Sequence, residues 1–174
     1  YVEVAKLTAS DAASGDRFGS SVAIDGDTVV IGAIGAHVRP GGGAVYVLRT
    51  TDGGATYVEV AKLTASDAAA DDYFGWSLAI DGDTVVVGAY QDDDDGRKSG
   101  SVYVFRTTDG GATYAQVAKL TASDAAESDG FGRKVAIDGE TVVVGASGEN
   151  SQRGAVYVFR TSDGGATYAQ VAKL

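Results

Sequence analysis

The sequence predicts an all-β protein made of three tandem copies of one unit. Three segments carry nearly the same residues in the same order, at 1–56, 57–113 and 114–167, and residues 168–174 repeat the opening of a unit. Within each unit, short runs rich in Val, Ile, Tyr and Phe alternate with Gly and Asp clusters, a pattern typical of strands separated by turns. Near-identity at a fixed period indicates a repeat architecture.

Each unit contains four predicted strands, which in the first unit cover residues 21–24, 28–33, 44–49 and 57–63. The first two are joined by Asp25-Gly26, which predicts a two-residue type I′ hairpin turn with positive φ at both central residues.

The second and third strands are apolar on both faces, as in the run 28–33, so neighbouring layers must cover both faces. Four-stranded antiparallel sheets stacked face to face are the blades of a β-propeller, and three of them would be part of a larger ring or assembly. A linear stack of the same sheets is the alternative. We expect residues 29–31, 85–87 and 142–144 to be the most buried. We also expect Phe18, Phe74 and Phe131 to be buried between sheets.

The units differ in length only in the loop after the second strand, at 34–43, 90–100 and 147–154. A loop that varies on a constant framework is typically exposed and carries binding specificity. We therefore place the ligand contacts on these loops and on the single tryptophan, for which packing against the adjacent blade is the alternative. The candidates are His37, Arg39, Trp76, Tyr90, Arg97, Glu149 and Arg153.

Acidic residues provide one candidate metal site. Asp92, Asp93, Asp94 and Asp95 are consecutive in the second variable loop, and several carboxylates together can bind a hard cation such as Ca²⁺. A solvated loop, partly neutralised by Arg97 and Lys98, is the alternative.

An aspartate pair precedes each Phe-Gly dipeptide, at Asp11 and Asp16 in the first unit. Because the pair recurs in every unit, we expect both aspartates to cap turns by accepting backbone N–H bonds. A cation site or a ligand contact at these pairs is the alternative.

Composition argues against several classes of function. A net charge of −10 repels nucleic acid and anionic membranes, and no apolar stretch is long enough to cross a bilayer. The chain has no cysteine and one histidine, so we expect no catalytic residues and no cofactor other than calcium.

The pairs Phe18-Gly19 and Gly32-Ala33, with their counterparts in the other units, resemble the FG-GAP repeat, the blade unit of the integrin α-subunit propeller. The resemblance implies a propeller used for adhesion or protein recognition outside the cell. Two features depart from that family. Ile34, Tyr90 and Ser147 replace the proline of the motif, and a tight Asp-Gly turn replaces the calcium-binding loop between the first two strands.

These observations predict a non-catalytic, extracellular or cell-surface module that binds a protein or glycan through its variable loops. A structural subunit of a surface fibre is one alternative, and a carbohydrate-acting enzyme is another. The chain starts inside a repeat and lacks methionine, which indicates a processed product or an excerpt of a longer polypeptide. We expect either further blades on both sides or head-to-tail association of copies.

Overall fold

A computed structural model describes residues 2–36 and 42–174, and this part of the chain forms three four-stranded antiparallel sheets. The first sheet contains β1 (Phe18–Asp25), β2 (Thr28–Ala33), β3 (Ala44–Arg49) and β4 (Val58–Leu63). The second contains β5 (Ser77–Asp81), β6 (Thr84–Ala89), β7 (Ser101–Arg106) and β8 (Ala115–Leu120). The third contains β9 (Phe131–Asp138), β10 (Thr141–Ala146), β11 (Ala155–Arg160) and β12 (Ala169–Lys173). Strands pair in chain order within each sheet, which confirms the prediction of three propeller-type blades.

Each sheet takes its outer strand from the start of the next sequence unit. β4 belongs to the second unit, β8 to the third, and β12 to the segment 168–174. Residues 2–8 carry the same sequence pattern but form no strand in the structure, and most of them are exposed. The sequence unit and the sheet are therefore offset by one strand.

The hairpin between the first two strands differs from the prediction. Asp25 pairs with Thr28, so the two turn residues are Gly26 and Asp27. Gly26 has a φ of 51°, whereas Asp27 is not among the residues with positive φ. The type I′ assignment is therefore wrong, and positive φ at the first turn residue alone is typical of type II′.

A β-bulge follows each Phe-Gly pair that lies within a strand. In β9, Phe131 pairs with Ala146 and Lys134 pairs with Gly145, which leaves Gly132 and Arg133 outside the ladder. Gly132 has a φ of 86°, a conformation that costs glycine little. A bulge of this kind changes the direction of nearby side chains, and Phe131 packs with Val86 and Val102 of the second sheet.

The core lies between consecutive sheets. Val30, Val45 and Phe74 belong to the cluster between the first and second sheets, and Val86, Val102 and Phe131 belong to the cluster between the second and third. Phe74 and Phe131 are fully buried, as predicted. Seven of the nine central-strand residues expected to be buried are at most 4% exposed, and Val29 and Val143 are partly exposed.

Phe18 differs from its two counterparts, because it is only partly buried. It makes an edge contact with Tyr46, with ring centroids 5.4 Å apart. Phe74 and Phe131 each make a similar contact with a tyrosine, and each is also packed against the preceding sheet. No described part of the chain provides a preceding sheet for Phe18, so the prediction of three equivalent buried phenylalanines is wrong for this residue.

Candidate functional site

Three aromatic side chains meet beside the second sheet. The rings of Tyr73 and Tyr90 are stacked, with centroids 5.9 Å apart and an interplanar angle of 11°. The Trp76 ring lies 4.6 Å from Tyr90 and 6.1 Å from Tyr73. All three side chains are half-buried, so each keeps part of its ring accessible. We call Tyr73, Trp76 and Tyr90 the aromatic cluster.

A framework shared by the three units brings these rings together. Trp76 follows Phe74-Gly75 and corresponds to Ser20 and Arg133, while Tyr90 follows Gly88-Ala89 and corresponds to Ile34 and Ser147. Tyr73 has a φ of 56°, and Arg17 and Gly130 at the same position also have positive φ. The framework is therefore common to the three units, whereas the three rings occur together only in the second.

A guanidinium group extends the aromatic cluster toward the third sheet. The Cζ atom of Arg133 lies 4.9 Å from the centroid of the Tyr90 ring, which is cation–π geometry. Its Nη1 donates to Ser147 Oγ at 3.2 Å. Arg133 is exposed, so its remaining donors face solvent.

Beside the cluster lies a cleft of about 720 Å³, whose lining extends from Trp76 and Arg133 onto the third sheet. Lys134 and Arg153 are at its rim, and Ala155 and Val156 form its apolar wall. The cleft thus combines aromatic, apolar and cationic groups in a chain whose net charge is −10.

The structure places the other predicted contact residues in different surroundings. Arg97 is exposed beside Tyr73, in a depression between the second variable loop and the segment before β5. Glu149, in the short helical segment α1 (Glu149–Gln152), accepts a hydrogen bond from Lys173 Nζ at 2.5 Å. His37 and Arg39 lie outside the described residues.

The second variable loop is not purely a solvated loop. Asp92 is 3% exposed, and Ser99 and Gly100 are also buried. The loop is tied to the third sheet by backbone bonds, including Phe131 N to Ser99 O at 2.9 Å. The expectation that this loop is exposed throughout is therefore wrong, because the third sheet packs against it.

Two of the four predicted metal ligands converge with a third carboxylate. Oxygens of Asp67, Asp92 and Asp94 lie within 4.8 Å of one another. Lys119 donates to Asp67 at 2.6 Å and to Asp92 at 3.2 Å, and it also bonds Asp94. A cation at this point would have to displace that ammonium group.

The other two predicted ligands do not join this cluster. Asp93 accepts a hydrogen bond from the Lys98 backbone at 2.6 Å, and Asp95 is exposed. A calcium site at the acidic run stays a prediction, with Asp67 as the additional ligand that the geometry provides.

Asp92 is further bound by Ser101 Oγ at 2.9 Å and by the Tyr103 hydroxyl at 2.8 Å. Burial, together with the nearby charge of Asp92, raises the pKa of Tyr103. Burial also lowers the pKa of Lys119, but its hydrogen bonds to Asp67 and Asp94 outweigh this and hold the pKa above its usual value. Lys119 therefore keeps its positive charge among these carboxylates at neutral pH.

A simpler version of this network occurs in the other two sheets. Tyr46 and Lys62 both donate to Asp11, at 2.7 and 2.5 Å, and Tyr157 and Lys173 do the same to Asp124. The first aspartate of each pair therefore binds side chains of the sheet rather than capping a turn, which corrects that prediction. The second aspartate does cap, since Asp16 accepts from Ala13 N at 2.7 Å.

Sequence reasoning missed Tyr73, Lys119 and Asp67 as partners of the predicted residues. Tyr73 was detectable, because it is an aromatic residue at a position where the other units carry Arg17 and Gly130. Lys119 and Asp67 were not, because every unit has a lysine and an aspartate there. Only the three-dimensional structure shows which of them meet the acidic loop.

The fold and these sites define a repeat module built from propeller-type blades. A model of the FG-GAP repeat matches residues 1–48, 57–105 and 114–159. The chain therefore belongs to the FG-GAP repeat family. Modules of this family are generally non-catalytic, commonly bind ligands and are typically found in extracellular proteins.

Among solved structures, the chain is similar to the crystal structure of the Saccharomyces cerevisiae Sqt1, with a TM-score of 0.57 and 12% sequence identity. The alignment covers 92% of this chain and 36% of that one. At this identity the likeness concerns the fold alone. A search of curated proteins finds no match. In the residues that the structure describes, no helix has the length and apolar character needed to span a membrane.

Proposed function

We propose that the chain is a non-catalytic, extracellular adhesion module that binds its ligand at the aromatic cluster. The observation that carries the proposal is the position of the three aromatic departures from the repeat. Tyr73, Trp76 and Tyr90 are scattered in the sequence but lie within 6.1 Å of one another by ring centroid. Features of a scaffold repeat in every unit, whereas a ligand site is expected in one.

The chemistry of the cluster favours an acidic glycan as the ligand. Half-exposed aromatic rings present flat apolar faces, which suit the C–H faces of sugar rings. Arg133 offers guanidinium donors beside them, and a guanidinium pairs well with a carboxylate. Lys134 and Arg153 at the rim of the cleft add positive charge. A protein ligand is the other outcome of the test.

Trp76 is the only tryptophan of the chain, so its fluorescence reports directly on the cluster. We expect titration with oligogalacturonates to change this fluorescence saturably, and neutral galacto-oligosaccharides of equal length to bind at least about 10-fold more weakly, a difference of about 1.4 kcal/mol. Glycan-array binding would extend the test to other acidic saccharides. Fluorogenic glycosides should show no turnover.

Two variants separate the charge from the rings. Arg133→Gln should weaken acidic saccharides and leave neutral ones unchanged, and Tyr90→Ala should weaken both. Lys6→Gln, an exposed cation in the N-terminal segment, is the charge-matched control and should bind as the unaltered chain does. Binding that is insensitive to both Arg133→Gln and Tyr90→Ala would refute the site. A chain that binds a protein ligand through the cluster, and no saccharide, would refute only the ligand class.

A further inference from the structure

A polar depression recurs in the second and third units, between the variable loop and the segment that precedes the Phe-Gly pair. In the second unit its volume is about 430 Å³, and it is lined by Asp71, Tyr73, Gln91, Asp93, Arg97 and Lys98. In the third unit its volume is about 780 Å³, and its lining includes Glu127, Ser128, Arg133, Ser147, Asn150 and Gln152. We call them the second-unit depression and the third-unit depression.

The two depressions are equivalent, because one backbone framework forms both. The N–H of Gln91 donates to Asp72 O at 3.3 Å, and the N–H of Gly148 at the corresponding position donates to Asp129 O at 2.9 Å. These bonds hold each variable loop against the segment before the Phe-Gly pair. Three pairs of aligned positions line the two depressions, namely 71 and 128, 91 and 148, and 93 and 150. The framework thus presents a different set of side chains in each unit.

Three side chains connect the two depressions. Tyr73 lines the second-unit depression, and its ring stacks on that of Tyr90 with 5.9 Å between the centroids. Arg133 lines the third-unit depression, and its Cζ atom lies 4.9 Å from the same Tyr90 centroid. Both tyrosines are half-buried and Arg133 is exposed. An accessible path over Tyr73, Tyr90 and Arg133 therefore joins one depression to the other.

The charge of the surface changes along this path. In the second-unit depression, two cations accompany two carboxylates, which belong to Arg97, Lys98, Asp71 and Asp93. In the middle, the guanidinium of Arg133 lies on an uncharged ring and donates to the uncharged Ser147. The lining of the third-unit depression contains the exposed Glu127 and the buried Asp129, and the variable loop adds only uncharged residues to it. One cationic position thus lies between two ends that contain carboxylates.

This pattern favours a ligand with an acidic group between two neutral, hydroxyl-rich groups. Carboxylates and side-chain amides accept hydrogen bonds from hydroxyls, and amides and cations donate to them, so both ends suit neutral sugars. A guanidinium binds a carboxylate through two parallel N–H donors, so the middle suits a uronic acid. The tyrosine rings add flat faces for the sugar rings.

We propose that the two depressions and the path between them bind an extended polysaccharide in which uronic acids alternate with neutral sugars. The uronate carboxylate pairs with Arg133, and the neutral sugars on either side occupy the two depressions. This assignment rests on the proposed function, because it needs an acidic sugar at the aromatic cluster, and it adds the length and the alternation of the ligand. A disaccharide contains one neutral sugar and fills one depression, whereas a tetrasaccharide can fill both.

Chondroitin oligosaccharides provide matched ligands for the test. Glucuronate alternates with N-acetylgalactosamine in this polymer, and sulfation makes the neutral sugar acidic without changing the backbone. By isothermal titration calorimetry we expect the unsulfated tetrasaccharide to bind at least about 10-fold more tightly than the disaccharide. The sulfated tetrasaccharide carries more charge but should bind about 10-fold more weakly than the unsulfated one, because its sulfates meet carboxylates at both ends.

A double variant tests the charge pattern. Asp71→Asn with Glu127→Gln removes one exposed carboxylate from each depression, and asparagine tolerates the φ of 69° at position 71. It should strengthen binding of the sulfated tetrasaccharide at least about 5-fold and leave the unsulfated one nearly unchanged. A structural defect would instead weaken both. Asp83→Asn is the charge-matched control, because Asp83 is exposed in the turn at the opposite end of β6 and should affect neither ligand.

A single variant tests the length of the site. Arg97→Gln removes an exposed cation from the second-unit depression, so it should abolish most of the gain from disaccharide to tetrasaccharide. A gain that survives Arg97→Gln, equal affinity for the two lengths, or tighter binding of the sulfated form to the unaltered chain would overturn the proposal. If Arg133→Gln still weakened the disaccharide, those results would leave the acidic-glycan site at the aromatic cluster intact. Failure of every acidic saccharide to bind would refute both.

Discussion

The first and second sheets share almost the same framework residues but differ in what surrounds them. Phe74 and Phe18 occupy the same position after the same acidic connection, yet Phe74 is completely buried and Phe18 is partly exposed. The second sheet is packed on both faces, whereas the described residues cover the first sheet on the face toward the second sheet and only partly on its other face. In a stack of repeated sheets, the burial of a side chain thus depends on whether a neighbouring sheet covers it.

The same two sheets also differ in their ion pairs. Lys62 of the first sheet meets Asp11, whose side chain is 52% exposed. Lys119 of the second sheet meets three carboxylates, of which Asp92 has a side chain only 4% exposed. A charge buried in this way depends on its partner far more than an exposed charge does.

The largest difference should come from the phenylalanines. We expect Phe74→Ala to lower the free energy of unfolding by about 3 to 5 kcal/mol, because it empties a filled space between two sheets. Phe18→Ala should cost roughly 1 to 2 kcal/mol, because part of its ring is already in water. Urea denaturation of both variants measures the difference. Equal losses would contradict the distinction between the two phenylalanines.

The lysines come next. Lys119→Met should cost about 3 kcal/mol at pH 7, because Asp92 then remains buried without a compensating cation. Lys62→Met is the matched control, because it makes the same substitution and also removes a contact between a lysine and a tyrosine ring. It should cost less than about 1 kcal/mol, since the aspartate that Lys62 binds is exposed. The measurement is urea denaturation at low and high salt. A loss in Lys62→Met as large as in Lys119→Met would contradict the distinction between the two networks.

A smaller effect concerns pH. Burial raises the pKa of Asp72 from 3.8 to about 6, and the charges of Asp92 and Asp93 contribute to the rise, while Lys119 opposes it. Folding therefore takes up a proton between about pH 4 and pH 6, and this contribution to stability is lost as the pH rises through that window.

Asp72→Asn mimics the protonated form and keeps an acceptor for Ala69 N, so it should remove this slope. The gain at pH 7 should be on the order of 1 kcal/mol. Asp129→Asn, whose counterpart bond comes from Ala126 N, is the matched control without the acidic loop. Melting temperatures from pH 4 to pH 7 provide the test. Parallel curves for the unaltered chain and Asp72→Asn would contradict the prediction.

Calcium should give the smallest effect in the unaltered chain. Since Lys119 occupies the space between Asp67, Asp92 and Asp94, we expect at most millimolar affinity, the weak end of the range for protein sites. Lys119→Met removes the competing ammonium and should bind Ca²⁺ more tightly by isothermal titration calorimetry. Tight binding by the unaltered chain that survives Asp92→Asn would place the ion elsewhere.

Much of the fold was readable from the sequence. The predicted strands at 28–33 and 44–49 coincide with β2 and β3, and the predicted strand at 57–63 differs from β4 by one residue. The variable loops were also identified, because only they change in length. The type of the hairpin turn was not, because the dipeptide Asp25-Gly26 does not reveal which of its residues ends the strand.

The candidate site was only partly predictable. Trp76 and Tyr90 were selected from positions that differ between the units, but their contact with Tyr73 and Arg133 depends on how the segment before β5 packs against Tyr90 and against the third sheet. Asp92 and Asp94 were selected because they belong to a run of four aspartates. The run alone did not show that Asp67 joins them or that Asp93 lies outside the cluster. A local pattern indicates which residues are unusual, and packing decides which of them meet.

By itself, the sequence determined the repeat, the four antiparallel strands of each sheet and the position of the variable loops, because strand pairing and turns depend on residues within a few positions of one another. The tertiary structure decided which phenylalanine is exposed, which lysine neutralises the acidic loop and where the aromatic rings meet. The burial of the phenylalanines and the choice of lysine depend on contacts between units, such as Ser21 with Gly75 and Lys119 with Asp67, which are 54 and 52 positions apart. The aromatic rings meet within one unit, but across a turn-rich segment whose path the sequence pattern does not specify. Because the units are nearly identical in sequence, the local sequence does not show which neighbouring sheet covers each of them.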